Sequence, residues 1–115
     1  MKQELIVCIV NSGFSDMVMN AARDGGARGG TILNARGAAR AEAEKKYSIS
    51  IHEDKDLVLV VADEESKEEI LHNLYNKIGL HTDAMGFVFT LPVDESVGFR
   101  NVHVEEKDIE DKEED

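Results

Sequence analysis

The chain of 115 residues lacks features that several protein classes require. Its single cysteine, Cys8, cannot form a disulfide alone, and it lies in the apolar run LIVCIV, where a free thiol usually behaves as a small buried hydrophobe. The longest apolar run, Leu5 to Val10, is far shorter than the roughly 20 residues of a membrane span. The sequence does not start with a basic segment followed by an apolar one, which is the pattern of a secretory signal peptide. We therefore expect a cytoplasmic protein without direct membrane insertion.

Positive charge is also scarce, because 24 acidic residues against 13 basic ones give a formal charge of -11. This sign repels phosphate backbones, so nucleic acid is not an expected partner. Residues 105–115 hold eight of the acids with two lysines and one isoleucine, which is too little apolar surface to offset the entropy of ordering. We expect one domain over residues 1–104 and an acidic, disordered tail over residues 105–115.

The apolar runs and helix signals predict the element order βαββαβ. The predicted strands are residues 5–10, 31–35, 57–62 and 85–91. Residues 5–10 read as a central strand buried on both faces, and Pro92 is expected to stop the last strand because it cannot donate to a central ladder. A doubled βαβ unit of this kind predicts the α+β class: a ferredoxin-like antiparallel sheet with two helices on one face.

Two helices are predicted from their caps and apolar spacing. The first has Ser15 or Asp16 as its cap and runs to about Asp24, and the second runs from Glu64 to about Ile78 with Asp63 as its cap. The apolar stripe of the second helix consists of Ile70, Leu71, Leu74 and Ile78. Residues 47–51 alternate polar and apolar side chains, which is typical of a half-exposed strand. The charged segment before them, AARAEAEKK, is expected to form a mobile loop.

Two stretches, GGTILNARG at 29–37 and FVFTLPV at 87–93, carry a family resemblance together with the element order and lengths. Over about residues 4 to 100 the chain resembles the PII signalling superfamily, as a divergent member. The first stretch resembles the strand leading into that family's T-loop, and the second resembles its last core strand. The resemblance implies a homotrimer, not an enzyme, with ATP or ADP between neighbouring subunits and a T-loop that regulates a partner transporter or metabolic enzyme.

The resemblance also implies a set of nucleotide-binding residues. Thr31, Gly37 and Arg40 fall at the base of the T-loop, where the family holds nucleotide. Gly86 falls in the loop before the last strand, the B-loop, and Arg100 falls near one of two C-terminal arginines that reach phosphate from the adjoining subunit.

Two positions depart from the family pattern at this site. Phe87 stands where a lysine commonly follows the matched glycine, and Gly98 stands where the partner of the C-terminal arginine is found. Because two phosphate-facing cations are missing, we expect weaker or differently posed nucleotide binding at a site that includes Phe87. A different adenine ligand, such as AMP or cyclic di-AMP, remains open.

The T-loop, residues 37–52, is shorter than usual and lacks the segment whose tyrosine is modified in some members. Arg36, Ala38 and Tyr47 are the residues assigned to contact with the partner protein. Ala41 stands about where the family has the glutamine that helps to ligate magnesium and 2-oxoglutarate. Sensing of 2-oxoglutarate and uridylylation are therefore not expected, and a role for magnesium stays open.

The alternative is a trimeric small-molecule or metal-binding protein of the same fold with a non-nucleotide ligand. No two of the four histidines have ligand spacing, so no metal-binding residues are assigned, but His81 could lie beside a ligand and change charge near neutral pH. The paired glycines at 25–26 and 29–30 are interpreted as a helix stop and a turn, since no Gly-Lys-Ser/Thr follows. A third possibility is an assembly module whose acidic tail docks a basic partner.

Overall fold

The computed structural model describes residues 2–38 and 52–98. These residues form, in chain order, β1 (Gln3–Asn11), α1 (Ser15–Asp24), β2 (Thr31–Ala38), β3 (His52–Asp63), α2 (Glu64–Ile78) and β4 (Phe87–Val93). The strands make one antiparallel sheet in the order β2-β3-β1-β4. This is the ferredoxin-like α+β arrangement that the sequence predicts.

Both helices cover the same face of the sheet and form the core with it. Alternate side chains of the two central strands point to that face, as the period of two in a β-strand requires. Fully buried members of the core are Ile6, Cys8, Val10, Val18, Ala22, Val58, Val60, Ile70, Leu74, Ile78 and Ala84. Each buried aliphatic side chain of this size contributes roughly 1.5 to 3 kcal/mol. Leu71 is only half-buried, at the edge of this core.

Cys8 lies in the middle of the core on β1 and is fully buried. Removal from water disfavours the thiolate, so burial raises the pKa of the Cys8 thiol to about 12. The thiol therefore stays protonated and packs as an apolar side chain, as expected from the run in which it lies.

The opposite face of the sheet is apolar and has no layer over it in the part of the chain that the structure describes. Strand register aligns its side chains in three rows. The rows are Leu33–Leu57–Ile9–Phe87, Thr31–Leu59–Val7–Phe89 and Val61–Leu5–Leu91. Phe87, Phe89 and Leu91 are 55%, 37% and 48% exposed. β1 is a central strand, as predicted, and Val7 is buried on this face too, but Leu5 and Ile9 are only half-buried within the single chain.

The last strand begins and ends later than the sequence predicts. Met85 adopts a left-handed φ of 47°, so the extended conformation begins only at Phe87. Pro92 does not stop the strand, since it pairs with Glu4 inside β4. β4 is an edge strand, where one row of amides needs no ladder partner and a proline is tolerated.

α2 has the predicted bounds and α1 ends at Asp24 as predicted, but α1 begins at Ser15, before the predicted start, and neither helix has the predicted capping bond. Phe14 precedes α1 as its N-cap and makes no side-chain capping bond, so neither Ser15 nor Asp16 has the expected role. Asp63 does occupy the N-cap position of α2, yet its carboxylate also makes no capping bond. One of its oxygens, Oδ2, lies 3.8 Å from Nη2 of Arg28 instead. The predicted strand at 47–51 and the acidic tail lie outside the described residues.

Candidate ligand site

The predicted site residues of the T-loop base lie on edge strand β2. Thr31 begins the strand, and Arg36, Gly37 and Ala38 form its end. Thr31 lies opposite Leu59 of β3, in the middle of the apolar face, whereas Gly37 lies opposite Glu53 near the start of β3. The two ends of β2 therefore belong to different parts of the sheet.

The remaining predicted residues lie elsewhere. Gly86 immediately precedes β4 and Phe87 begins it, on the opposite edge of the sheet from β2. Three strand spacings separate the two edges, a distance of about 14 Å. A single chain therefore does not bring the two groups together. Arg40, Tyr47 and Arg100 lie outside the described residues.

A hydrogen-bonded cluster joins the loop before β4 to the start of β3. The backbone N–H of Asn11 donates to Ala84 O at 2.9 Å, and its side-chain Nδ2 donates to Asp83 O at 2.9 Å. The same side chain accepts through Oδ1 a bond of 2.7 Å from Lys55 Nζ, which also lies 3.1 Å from Glu53 Oε2. Asn11 thus connects two segments that are distant in sequence.

Lys55 is not among the site residues that the sequence predicts. Its side chain is 18% exposed and lies beside Gly37, where an added Cβ would be 3.4 Å from Lys55 Cε. The sequence does contain an indication of its position. Lys55 alternates with Leu57 and Leu59 along the strand, so its side chain points to the apolar face of the sheet. Lys55 also lines a polar cavity of about 300 Å³ together with Ser12, Asn34, Ala35 and Asp54.

A buried carboxylate fixes the turn next to this cavity. Asp56 is only 6% exposed, and its Oδ2 accepts a hydrogen bond of 3.1 Å from the backbone N–H of Gly13. Gly13 has a φ of 100°, a conformation that favours glycine. The backbone N–H of Ser12 donates to Asp54 O at 3.2 Å. The turn between β1 and α1 is thereby held against β3.

The loop over residues 79–86 is held by its own hydrogen bonds and by the end of α2. The Thr82 hydroxyl donates to Gly79 O at 2.7 Å, and the N–H of Gly86 donates to Ile78 O at 2.6 Å. An added Cβ on Gly86 would lie 2.1 Å from Ile78 O. Close packing against α2 is therefore sufficient to require glycine at this position, whether or not a ligand approaches it.

An apolar cavity of about 490 Å³ lies between α2, this loop and the start of β4. Its lining side chains are Leu71, Tyr75, Leu80, His81, Phe87 and Val88. The rings of Tyr75 and His81 are in tilted contact, with centroids 5.1 Å apart. His81, which the sequence marks as a residue that could lie beside a ligand, lines this cavity.

A smaller cavity of about 370 Å³ lies at the start of β2 and includes Arg28, Gly30 and Thr31. An added Cβ on Gly30 would lie 2.9 Å from Leu59 O, so packing against β3 also requires this glycine. Gly25 follows the end of α1 as its C-cap. Gly25-Gly26 thus form the helix stop and turn that the sequence predicts, whereas Gly29 and Gly30 do not form a turn.

Residues 2–38 and 52–98 contain neither a cluster of possible metal ligands nor a helix that could span a membrane. In these ranges no three side chains of His, Cys, Asp or Glu group closely enough to hold a metal ion. None of the helices there is both long and apolar enough to cross a membrane. His103 lies outside these ranges.

Solved structures with this fold include structures of GlnK. The chain superposes on Bacillus subtilis GlnK in complex with ATP with a TM-score of 0.68 and 9% identity, covering 84% of this chain and 85% of that one. Another structure of B. subtilis GlnK gives a TM-score of 0.62 and 10% identity, with 84% and 90% covered. A Bacillus cereus protein related to NIF3 gives 0.65 and 11% identity, but only 26% of that chain is covered against 82% of this one. At these identities the likeness shows the fold alone.

The family is shown by comparison with family models. No curated protein matches the chain. The model described as nitrogen regulatory protein P-II matches residues 3–103, which is most of the 115 residues. The chain therefore belongs to the nitrogen regulatory protein P-II family.

Proposed function

We propose that the chain is a non-enzymatic, cytoplasmic PII-like regulator. It forms a homotrimer, binds ATP or ADP in the cleft between subunits, and regulates a partner transporter or metabolic enzyme through residues 37–52. One observation carries the proposal: the candidate ligand residues lie at opposite edges of one sheet, about 14 Å apart. A site that contains both groups forms only where the β4 edge of one subunit meets the β2 edge of another.

The uncovered face of the sheet supports assembly. Its three apolar rows cover on the order of 300 Å², judged from strand spacing and rise. An exposed apolar patch of this size commonly marks an interaction surface. Packing the faces of three subunits against one another would remove Phe89, Leu91 and Leu33 from water, and each large apolar side chain so buried favours association.

The proposed binding mode assigns roles to four of the candidate residues. Gly37 lets the backbone approach the nucleotide, and Arg40 together with Arg100 of the neighbouring subunit neutralises phosphate. Phe87 offers an apolar contact in place of a cation, so we expect weak nucleotide affinity, in the micromolar range. A bound nucleotide can change the contact with the partner protein only if it binds one conformational state of the regulator more tightly than another.

The test is calorimetric titration of the purified protein with ATP, ADP, AMP and cyclic di-AMP. Substitutions Arg40→Ala and Arg100→Ala are expected to weaken binding by about tenfold or more, since each removes a charge-assisted contact. Arg23→Ala, at the exposed end of α1, is the matched control and leaves affinity unchanged. Wild-type affinity in both site variants would refute the assignment.

The apolar cavity beside His81 favours a second candidate function, a trimeric protein with a non-nucleotide small-molecule ligand. Its volume of about 490 Å³ lies in the range of small-molecule sites, and none of the described residues that line it is a lysine or an arginine. Native mass spectrometry of freshly purified protein separates the two functions. A retained mass that ATP does not displace would favour this candidate, and a mass that ATP displaces would favour the regulator.

A further inference from the structure

We propose that Lys55 is the cation that holds the phosphate of the ligand at the T-loop end of the sheet, and that Glu53 is the group the phosphate displaces. The inference rests on the proposed function, because it names further residues of the same site. It also answers a difficulty of that site, since Phe87 and Gly98 stand where two phosphate-facing cations are expected.

The geometry at Lys55 suits an anion. An ammonium group has three N–H donors. Two are used, one for Asn11 Oδ1 at 2.7 Å and one for Glu53 Oε2 at 3.1 Å. Within residues 2–38 and 52–98, the third donor has no partner. The side chain is held in place by its burial and by Asn11, so little conformational entropy is lost when an anion binds.

The surroundings of Lys55 place this cation at the predicted ligand position. Its stem runs beside Gly37, the glycine expected to let the backbone approach the nucleotide. Of the described residues that line the adjoining polar cavity, Lys55 is the one cation, and Asp54 is an anion. Without Lys55 the described side chains that line this cavity would present only neutral and negative groups, which do not attract an anion.

Glu53 is the partner that can be exchanged. Its side chain is 62% exposed, and an ion pair with so exposed a partner adds little stability. A phosphate carries more charge than a carboxylate and competes with it for the same ammonium. The exchange would occur one residue after the start of β3 and opposite Gly37, where the chain leaves for residues 39–51.

Asn11 links Lys55, where the exchange would take place, to the loop before β4. It holds Lys55 through its side-chain oxygen and holds the loop before β4 through its two N–H groups. Lys55 is therefore joined to Asn11 by one hydrogen bond, and Asn11 is joined to Asp83 by the next. The loop before β4, the end of β2 and the start of β3 therefore meet at the same ligand contact.

The experiment measures affinity for ATP and, separately, for inorganic tripolyphosphate by calorimetry in four proteins: wild type, Lys55→Met, Glu53→Gln and Lys67→Met. Lys67 is the matched control, since its ammonium pairs with Glu4 Oε1 at 3.2 Å and its side chain is 24% exposed. We expect binding about 10- to 100-fold weaker in Lys55→Met, from the loss of a charge-assisted bond. Glu53→Gln removes the competitor and tightens binding by about two- to fivefold. Lys67→Met changes neither affinity.

The outcomes separate this inference from the proposed function. Unchanged ATP affinity in Lys55→Met overturns the inference and leaves nucleotide binding in place. Binding of tripolyphosphate through Lys55 without any binding of ATP supports the inference and overturns the proposed nucleotide function. Failure of the wild type to bind either probe overturns both. Glu53→Gln keeps Lys55 intact, so its tighter binding tests the exchange even if Lys55→Met does not fold.

Discussion

The substitution Gly86→Ala tests whether this glycine is required by packing alone. The new Cβ would lie 2.1 Å from Ile78 O and 2.5 Å from Ile78 Cδ1, far inside contact distance. The loop must move away from α2, which breaks the 2.6 Å hydrogen bond from Gly86 N–H to Ile78 O. Overpacking costs about 1 to 3 kcal/mol and the lost bond about 1 kcal/mol, so the free energy of unfolding should fall by about 2 to 4 kcal/mol.

Gly29→Ala is the matched control, because an added Cβ there meets nothing within 4 Å. Urea denaturation followed by circular dichroism, at one protomer concentration and without ligand, measures both variants against wild type. Gly86→Ala should show a clearly lower midpoint, equivalent to a melting temperature lower by roughly 10 to 25 °C. Equal midpoints for the two variants would refute the packing argument and leave ligand approach as the reason for the glycine.

Three other substitutions or measurements test separate parts of the structure. Phe89→Asp puts a charge in the apolar face and should dissociate the assembly, which light scattering would detect. Val97→Asp, at a fully exposed position, should leave the assembly intact. An intact Phe89→Asp trimer would exclude this face as the interface. Asp56→Ala leaves the N–H of Gly13 without its acceptor and should lower the free energy of unfolding by about 1 to 3 kcal/mol, which urea denaturation would detect; a change below 0.5 kcal/mol would contradict the role of Asp56. Burial raises the pKa of the Cys8 thiol above its unfolded value of 9.0 to about 12, so stability from this group is complete below pH 9 and is lost as the pH rises towards 12. The native thiol should resist iodoacetamide at pH 8 and react in urea, and rapid native labelling would contradict its burial.

Apolar periodicity predicts the parts of the fold that the core determines. α2 has the predicted bounds, α1 ends at the predicted residue, and the four predicted strands exist in the predicted order. β3 begins at His52, earlier than the predicted residue 57, because its first residues pair with the end of β2 beyond the apolar core. Polar residues in a ladder carry no hydrophobic signal, so hydrogen bonding across the sheet extends the strand where the pattern cannot indicate it.

The candidate site is less predictable because its contacts are distant in sequence. Asn11 and Lys55 are 44 residues apart, and only strand register brings them together. The packing of Gly86 against Ile78 likewise depends on how the loop turns back onto α2. The resemblance to the P-II family supplies candidate positions on β2 and β4, but it does not mark Lys55. Side chains recruited by tertiary packing become visible only in the folded chain.

Native mass spectrometry of the protein titrated with ATP tests the central proposal most directly, because one spectrum reports both subunit number and bound nucleotide. If the nucleotide site lies between subunits, the spectrum will show a trimer that takes up one ATP per subunit and no ATP on any monomer present. A monomer that binds ATP by itself, or a trimer that takes up none at millimolar ATP, would contradict a nucleotide site built between subunits.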